Sequence, residues 1–353
     1  MTRFIQIHAL TVYAPSNLNR DDTGRPKTAK FGGAERLRIS SQALKRAIRT
    51  SDAFKAHAAG RQGERTQRLG DEIRGHLAAK GIAADTATKI ARDVAGIFGK
   101  LKPENDKNPT YIEQLAFVSP EERNLALELA DKLAAGGKLP DKAGDVVAEV
   151  LRKSDGAIDI AMFGRMLADN PEFNREAAVQ VAHAITTHKV EVEDDFYTAV
   201  DDLKKPSEDA GAGFIGELGF GSGVFYIYAC IDSALLKSNL GSDKALAATA
   251  VAALIEGLAT ASPTGKQASF ASRARASYVR IEKGGQQPRQ LSAAFLKPVP
   301  GNDLLTASIA ELETLAAAMS KAYGACFDSE LTMNVAAGQG SLAELIAFAT
   351  REA

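Results

Sequence analysis

Apolar and polar residues alternate through RFIQIHALTVY, residues 3–13, with Ile5, Ile7 and Ala9 on one side and Gln6 and His8 on the other, which predicts a half-buried strand. A long stretch rich in Asn, Asp, Gly and Pro follows and reads as loop, ending in a helix from about Ser41 with Ser40 or Ser41 as its cap. From about 60 to 180 the period becomes helical. Ser119-Pro120-Glu121-Glu122 combines a cap, a proline in the first turn and first-turn acids, and Leu125, Leu129 and Leu133 recur at four-residue spacing until Gly136-Gly137 stops the helix. Strand patterns return in THKVEVEDDFYTAV and in GVFYIYACID, residues 223–232. A helix near 243–259, a strand in RASYVRIE (275–282), a helix carrying Ile309, Leu312, Leu315 and Met319, a short strand near 326–333 and a helix from Ser341 complete the chain.

With the helical block set aside, the order is strand, helix, strand, strand, helix, strand. An α+β fold is expected, with the ferredoxin-like, RRM-like arrangement used by RNA-recognition domains. At 353 residues, two domains or one domain with a large insertion are expected. No apolar run has the length of a membrane span, and the first residues lack a signal-peptide pattern. Cys230 and Cys326 are too few for a disulfide framework or a zinc site, so a cytoplasmic setting is expected.

A formal charge of −1 argues against a polyanion partner only if charge is evenly spread. It is not. Residues 20–50 hold nine Lys/Arg against three acids, and residues 191–209 hold eight acids against two lysines. On a helix, Gln42, Lys45, Arg46 and Arg49 fall within a stripe of roughly 100°, opposite Ala43, Leu44, Ala47 and Ile48. Solvated faces usually mix signs for i,i+4 pairing, whereas this stripe meets no acid before Asp52. Gly32-Gly33 precedes it, where backbone can approach a ligand, and a helix N-terminus adds unpaired N–H groups. Together these features describe a cradle for a phosphate backbone.

The run ALTVYAPSNLNRDDTGRPKTAKFGGAERLRISSQALKRAIR (9–49) resembles the CasC family, the repeated backbone subunits of the type I-E CRISPR surveillance complex, Cascade, within the RAMP superfamily. The resemblance resumes at FGRM (163–166), AHAITTHKVEVEDDFYTAVDDL (182–203), GSGVFYIYA (221–229) and PTGKQASFA (263–271). It implies a hand: a palm in two parts, 1–59 and 181–353, a helical fingers insertion over 60–180, and a thumb loop over 201–221 carrying Lys204, Lys205, Phe214, Ile215, Leu218 and Phe220. It also implies that Lys27, Ser40, Gln42, Lys45, Arg46 and Arg49 grip RNA phosphates, and that Arg165 and Met166 belong to a fingers edge where Met166 packs on bases. Lys266 and Gln267 would add a further backbone contact. The implied partners are crRNA, a target DNA strand reached through crRNA pairing, other copies of the chain and other Cascade subunits. Several copies would lie head to tail along one crRNA, each flipping a base at every sixth position.

No catalytic residue, metal or cofactor is expected. His183 and His188, five residues apart, share no helical face, and Gly265-Lys266 lacks the rest of a phosphate-binding NTPase loop. His8, Tyr226 and Tyr228 are expected to pack within the sheet. The alternative is a metal-dependent RAMP-type endoribonuclease in which Asp21 and Asp22 hold a divalent ion for in-line cleavage.

Overall fold

The computed structural model describes residues 3–199, 202–203 and 214–351. It is a mixed α/β structure of two compact units. The first comprises Met1–Phe54, Val181–Ile231 and Ala252–Glu352, and the second Lys55–Gln180 with Asp232–Val251. The segment Asp232–Val251, expected with the sheet, thus groups with the helices. The strands in chain order are β1 (Phe4–Ser16), β2 (Thr28–Phe31), β3 (Ala34–Ile39), β4 (Glu64–Thr66), β5 (Ala116–Val118), β6 (Val179–Val181), β7 (Ala184–Thr186), β8 (Glu193–Ala199), β9 (Phe214–Asp232), β10 (Ala276–Gly284) and β11 (Ser329–Asn334). The first helix, α1, spans Ser41–Thr50.

In the first unit the sheet runs β11-β10-β1-β9-β7-β3-β2, and β8 pairs with β9 beside this path. The β1–β10, β10–β11, β7–β9, β3–β7 and β2–β3 ladders are antiparallel. β1 matches the expected strand but is buried on both faces: Gln6 and His8 are as enclosed as Ile5 and Ile7. The reason lies far along the chain. Leu291, Phe295, Val299 and the helix Leu304–Tyr323 cover the face that carries Leu10, Tyr226, Tyr228 and Tyr278. Hydrogen bonds link polar groups on that face, as burial favours. His8 Nδ1 lies 2.9 Å from the Tyr226 hydroxyl, which accepts from the Leu291 N–H at 3.0 Å. The Tyr228 hydroxyl donates to Gln6 Oε1, 3.0 Å.

The stretch read as one loop before α1 contains the β2–β3 hairpin. Gly32 and Gly33 form its two-residue turn, with φ of 60° and 76° between the Phe31–Ala34 pair. Two successive positive φ values are what a two-residue hairpin turn needs. A Cβ on Gly32 would also sit 1.5 Å from the Leu296 carbonyl oxygen. Gly32 therefore serves the turn and an internal contact, which corrects its reading as an approach point for ligand, while Gly33 serves the turn and faces open space.

The described end of the expected thumb loop, residues 214–221, belongs to a strand paired with β8. β9 starts at Phe214, not near 223, and pairs with β8 from Glu193↔Phe220 to Ala199↔Phe214. Lys204 and Lys205 lie outside the described residues.

The helical unit packs Leu69–Ala79, Ala84–Ala95 and Pro120–Ala134 around Ile73, Leu77, Val94 and Leu129. The last of these helices starts as its sequence predicts. Ser119 Oγ accepts from the Glu122 N–H at 3.1 Å, and the Glu122 carboxylate accepts from the Ser119 N–H at 3.2 Å.

Candidate nucleic-acid interface

α1 is built as its periodicity predicts. Ser40 caps it, accepting from the Ala43 N–H at 3.2 Å. Leu44, Ala47 and Ile48 are buried, and Ile48 packs so closely on Gly257 of the helix Lys244–Thr260 that a Cβ there would lie 2.9 Å from its Cγ2. This fixes the roll of the helix. Gln42 and Arg46 are exposed and Lys45 and Arg49 half-exposed on the other side, and no acidic residue lies within α1. Ser40 is 8% exposed with its hydroxyl engaged as the cap, so it positions the stripe and offers RNA little side-chain surface.

Asn19 ties the preceding loop to this helix. Its side-chain oxygen accepts from the Ser40 N–H at 2.8 Å and its carbonyl accepts from the Lys27 N–H at 2.8 Å. Half-buried Lys27 is thereby held beside the start of α1. Arg38 on β3 and His183 join it: Arg38 Nη1 donates to His183 Nδ1 at 2.8 Å. Burial, then the nearby charges of Arg38 and Lys27, lower the proton affinity of His183. Arg36, one of the nine local cations, turns inward instead, donating to the Thr186 and Phe295 carbonyls at 2.9 and 2.8 Å. The outward field is one charge smaller than the sequence count.

Lys266 and Gln267 open the short helix Gln267–Phe270, and the preceding Gly265 is pressed on residues 17–18, where a Cβ would lie 2.4 Å from the Leu18 carbonyl oxygen. Gln267 accepts from the Ser272 hydroxyl at 3.1 Å. It lines an open cleft of about 450 Å³ with Thr50, Ser51, Arg273 and Arg275. Exposed Arg273 and Arg275 were not singled out from sequence; the signal was the alternation Ser272-Arg273-Ala274-Arg275 running into β10.

Asp21 holds a turn. Its Oδ1 accepts from the Thr23 N–H and hydroxyl at 2.9 and 2.8 Å and from the Arg25 N–H at 3.0 Å. These bonds, the Thr23 hydroxyl first, lower its pKa. Asp22 is exposed beside it, and no group of three or more His, Cys, Asp or Glu able to hold a metal gathers among the described residues.

On the β8–β9 hairpin, register separates the apolar candidates. Phe214, Leu218 and Phe220 share a face with Tyr197, while Ile215 lies opposite with Phe196. Phe214, Ile215 and Phe196 are 56%, 61% and 67% exposed, so the apolar tip is double-sided. Tyr197 lies over Gly216, where a Cβ would be 2.5 Å from its ring, and meets Phe214 at 6.0 Å. Phe220 differs: it packs on Phe270 at 5.9 Å, which makes it a base anchor rather than part of the tip. Asn17 donates to the Gly219 carbonyl at 2.9 Å and Arg25 pairs with Asp194 at 2.7 Å, fastening the same base. Part of the charge complementarity between residues 20–50 and 191–209 is thus satisfied within one chain.

In the helical unit, Gly164-Arg165-Met166 splits by direction. Gly164 ends the helix Ile158–Phe163 at φ 79°, with the Arg175 carbonyl oxygen 2.9 Å from where a Cβ would be. Arg165, expected to face RNA, has a side chain with no exposure. It donates to Glu122 at 2.5 Å and to the Phe117 and Phe173 carbonyls at 3.3 and 3.2 Å. Asp155, 3.7 Å away and paired with Arg175 at 3.2 Å, completes a buried quartet. Burial, then the Glu122 carboxylate, raise the pKa of Asp155. Met166, the next residue, is 80% exposed near Leu115 at 63%. The arginine anchors the segment and the methionine presents an apolar surface.

No helix among the described residues is long and apolar enough to cross a membrane. No curated protein matches the chain. Two solved chains are similar to it over nearly its full length. One, from a "CRISPR RNA-guided surveillance complex, pre-nicking", is 31% identical with a TM-score of 0.87, covering 99% of both chains. The other, from a "CRISPR RNA-guided surveillance complex", is 27% identical with a TM-score of 0.75, covering 99% of this chain and all of that one. The model of the CT1975-like protein family matches residues 5–351, and the chain belongs to that family.

Proposed function

We propose that the chain is a non-catalytic backbone subunit of a type I-E CRISPR surveillance complex, of the CasC kind. Several copies hold one crRNA by its phosphates and present it for pairing with target DNA, beside other Cascade subunits. The observation that carries this reading is the full-length likeness to surveillance-complex chains. The outward, acid-free face of α1 supports it, because a subunit serving any guide must hold backbone and leave sequence reading to base pairing. The proposed palm is ferredoxin-like. β1, α1, β7, β9, the helix Lys244–Thr260 and β10 follow the strand-helix-strand-strand-helix-strand order, and the four strands lie as β10-β1-β9-β7. RNA does not stack on this sheet in the manner of an RNA-recognition domain, since Tyr226, Tyr228 and Tyr278 are covered by the chain itself. It follows α1 and the Asn17–Lys27 loop instead. The proposed thumb is the β8–β9 hairpin, whose exposed Phe196, Phe214 and Ile215 press between nucleic-acid strands. The turn held by Asp21 Oδ1 favours a structural role for the Asp21-Asp22 pair.

Gel filtration of the purified protein at low salt tests this reading. Nucleic-acid absorbance should migrate with the protein and disappear after ribonuclease treatment. Protein free of nucleic acid and unable to bind added single-stranded RNA contradicts it.

A further inference from the structure

We propose that Asn17 is a positioning residue that couples RNA held along residues 17–27 to the placement of the paired strands β8 and β9; this rests on the RNA-binding reading above. Asn17 is fully buried. Its Nδ2 donates to the Gly24 carbonyl inside the loop and to the Gly219 carbonyl on β9, both at 2.9 Å. Its own carbonyl oxygen faces a third element: a Cβ on Gly265, the residue before Lys266, would lie 2.5 Å from it. One amide thus stands where the loop, β9 and the segment bearing Lys266 and Gln267 meet. Its side chain reaches no solvent, so it acts through these groups rather than on RNA itself.

The junction is continuous with both ends of the coupling. Toward α1, the Asn19 side chain accepts from the Ser40 N–H and its carbonyl from the Lys27 N–H, each at 2.8 Å. Asp21 closes the turn between them with its bonds to Thr23 and Arg25. Toward the strands, Gly219 lies opposite Asp194 in the β8–β9 register, and Asp194 pairs with Arg25 of the same loop at 2.7 Å. The packing there is close: a Cβ on Gly219 would lie 3.2 Å from Pro26 Cδ and 3.5 Å from Arg25 Cγ. Phe220, the next residue, packs on Phe270 at the end of the short helix that Gln267 opens. The base of the strand pair is therefore gripped by the same two segments proposed to hold RNA, with Asn17 at their meeting point.

A loop that RNA orders holds the Gly24 carbonyl and Arg25 in place, and the strand pair then closes on a fixed surface instead of a moving one. Ordering shared between two sites makes occupancy of one favour order at the other. The effect is reciprocal, so a strand pair held by its own contacts steadies the loop for RNA. A subunit built this way sets β8 and β9 on the strand at a position measured from its own grip.

The test is hydrogen exchange read by mass spectrometry, on the intact protein freed of nucleic acid, with and without saturating uridine-only single-stranded RNA. In the wild type, RNA should slow exchange of the amides at residues 193–199 and 214–220 by about fivefold or more, the low end for coupled sites. Asn17→Ala, at RNA concentrations that saturate it, should keep the slowing in α1 and lose it in β8 and β9, so that their ratio of free to bound rates approaches unity. An Asn17 that only supports the fold would raise exchange equally with and without RNA, and RNA that shields the strands directly would act without Asn17. Both leave the wild-type ratio in Asn17→Ala, and that result overturns the proposal. If Asn17→Ala does not fold, Asp194→Lys sets like charges against each other at the exposed pair with Arg25, and a wild-type ratio there overturns it. A wild type that binds RNA with no slowing in β8 and β9 overturns the coupling and leaves the RNA-binding reading standing. A wild type that binds no RNA overturns that reading, and the coupling with it.

Discussion

Arg165 in the helical unit and Arg46 on α1 are both arginines in short motifs that resemble RNA-contacting segments, and the structure gives them opposite surroundings. Arg165 finds Glu122 and Asp155 within 2.5 and 3.7 Å and is fully enclosed. Arg46 lies on a helix without one acid and stays exposed. The partner decides. A cation that meets carboxylates inside the fold becomes structure, while one facing none is left for a ligand. The same division separates Arg36 from Arg38 on a single strand, and Phe220 from Phe214 on a single hairpin.

The largest expected effect comes from breaking the enclosed side. Arg165→Ala leaves Glu122 buried without its cation and Asp155 with Arg175 alone, and should cost about 3–5 kcal/mol of stability by urea unfolding. Arg46→Ala should stay within about 0.5 kcal/mol. Equal losses would dissolve the distinction.

Next is the exposed side. Changing Lys45, Arg46 and Arg49 together to Ala should weaken binding to every RNA sequence alike and lower the salt slope by about 2, from about 0.7 per lost phosphate contact. A wild-type slope would remove the stripe from the interface.

The hairpin gives a smaller contrast. Phe220→Ala removes the contact with Phe270 and should cost roughly 1–2 kcal/mol, below the value for a fully buried phenylalanine. Phe214→Ala should change stability by less than about 0.5 kcal/mol. Met166→Ala should likewise leave stability within about 0.5 kcal/mol while altering the reactivity of bound RNA bases, which chemical probing can check.

The features legible in sequence were those set by local period or local hydrogen bonding. The capping box at Ser119–Glu122 and the split of α1 into buried Leu44, Ala47 and Ile48 against the cationic stripe both depend on residues within a few positions of each other. What escaped depends on distant chain. Alternation in β1 suggested one wet face, but Phe295 and the helix Leu304–Tyr323 cover it. Gly32-Gly33 reads in sequence as a ligand approach, and neither the β2–β3 pairing nor Leu296 against Gly32 shows there. The inward course of Arg165 follows from Glu122, which looked in sequence like half of a cap and in the fold also serves as a counter-ion. The apolar run before residue 223 did not show its pairing with a facing strand, nor the contribution of Phe196 and Tyr197 from that strand.

The central claim is that the chain holds RNA by its backbone through the palm while the β8–β9 hairpin imposes a repeat on it. Chemical probing of long RNA bound to the intact protein, and to a variant in which residues 204–219 are replaced by a short Gly-Ser linker, tests both halves at once. Both proteins should bind, the intact one should show one reactive base in six, and the variant should lose that period. The same six-nucleotide pattern in both proteins, or no pattern in the intact one, would contradict the account.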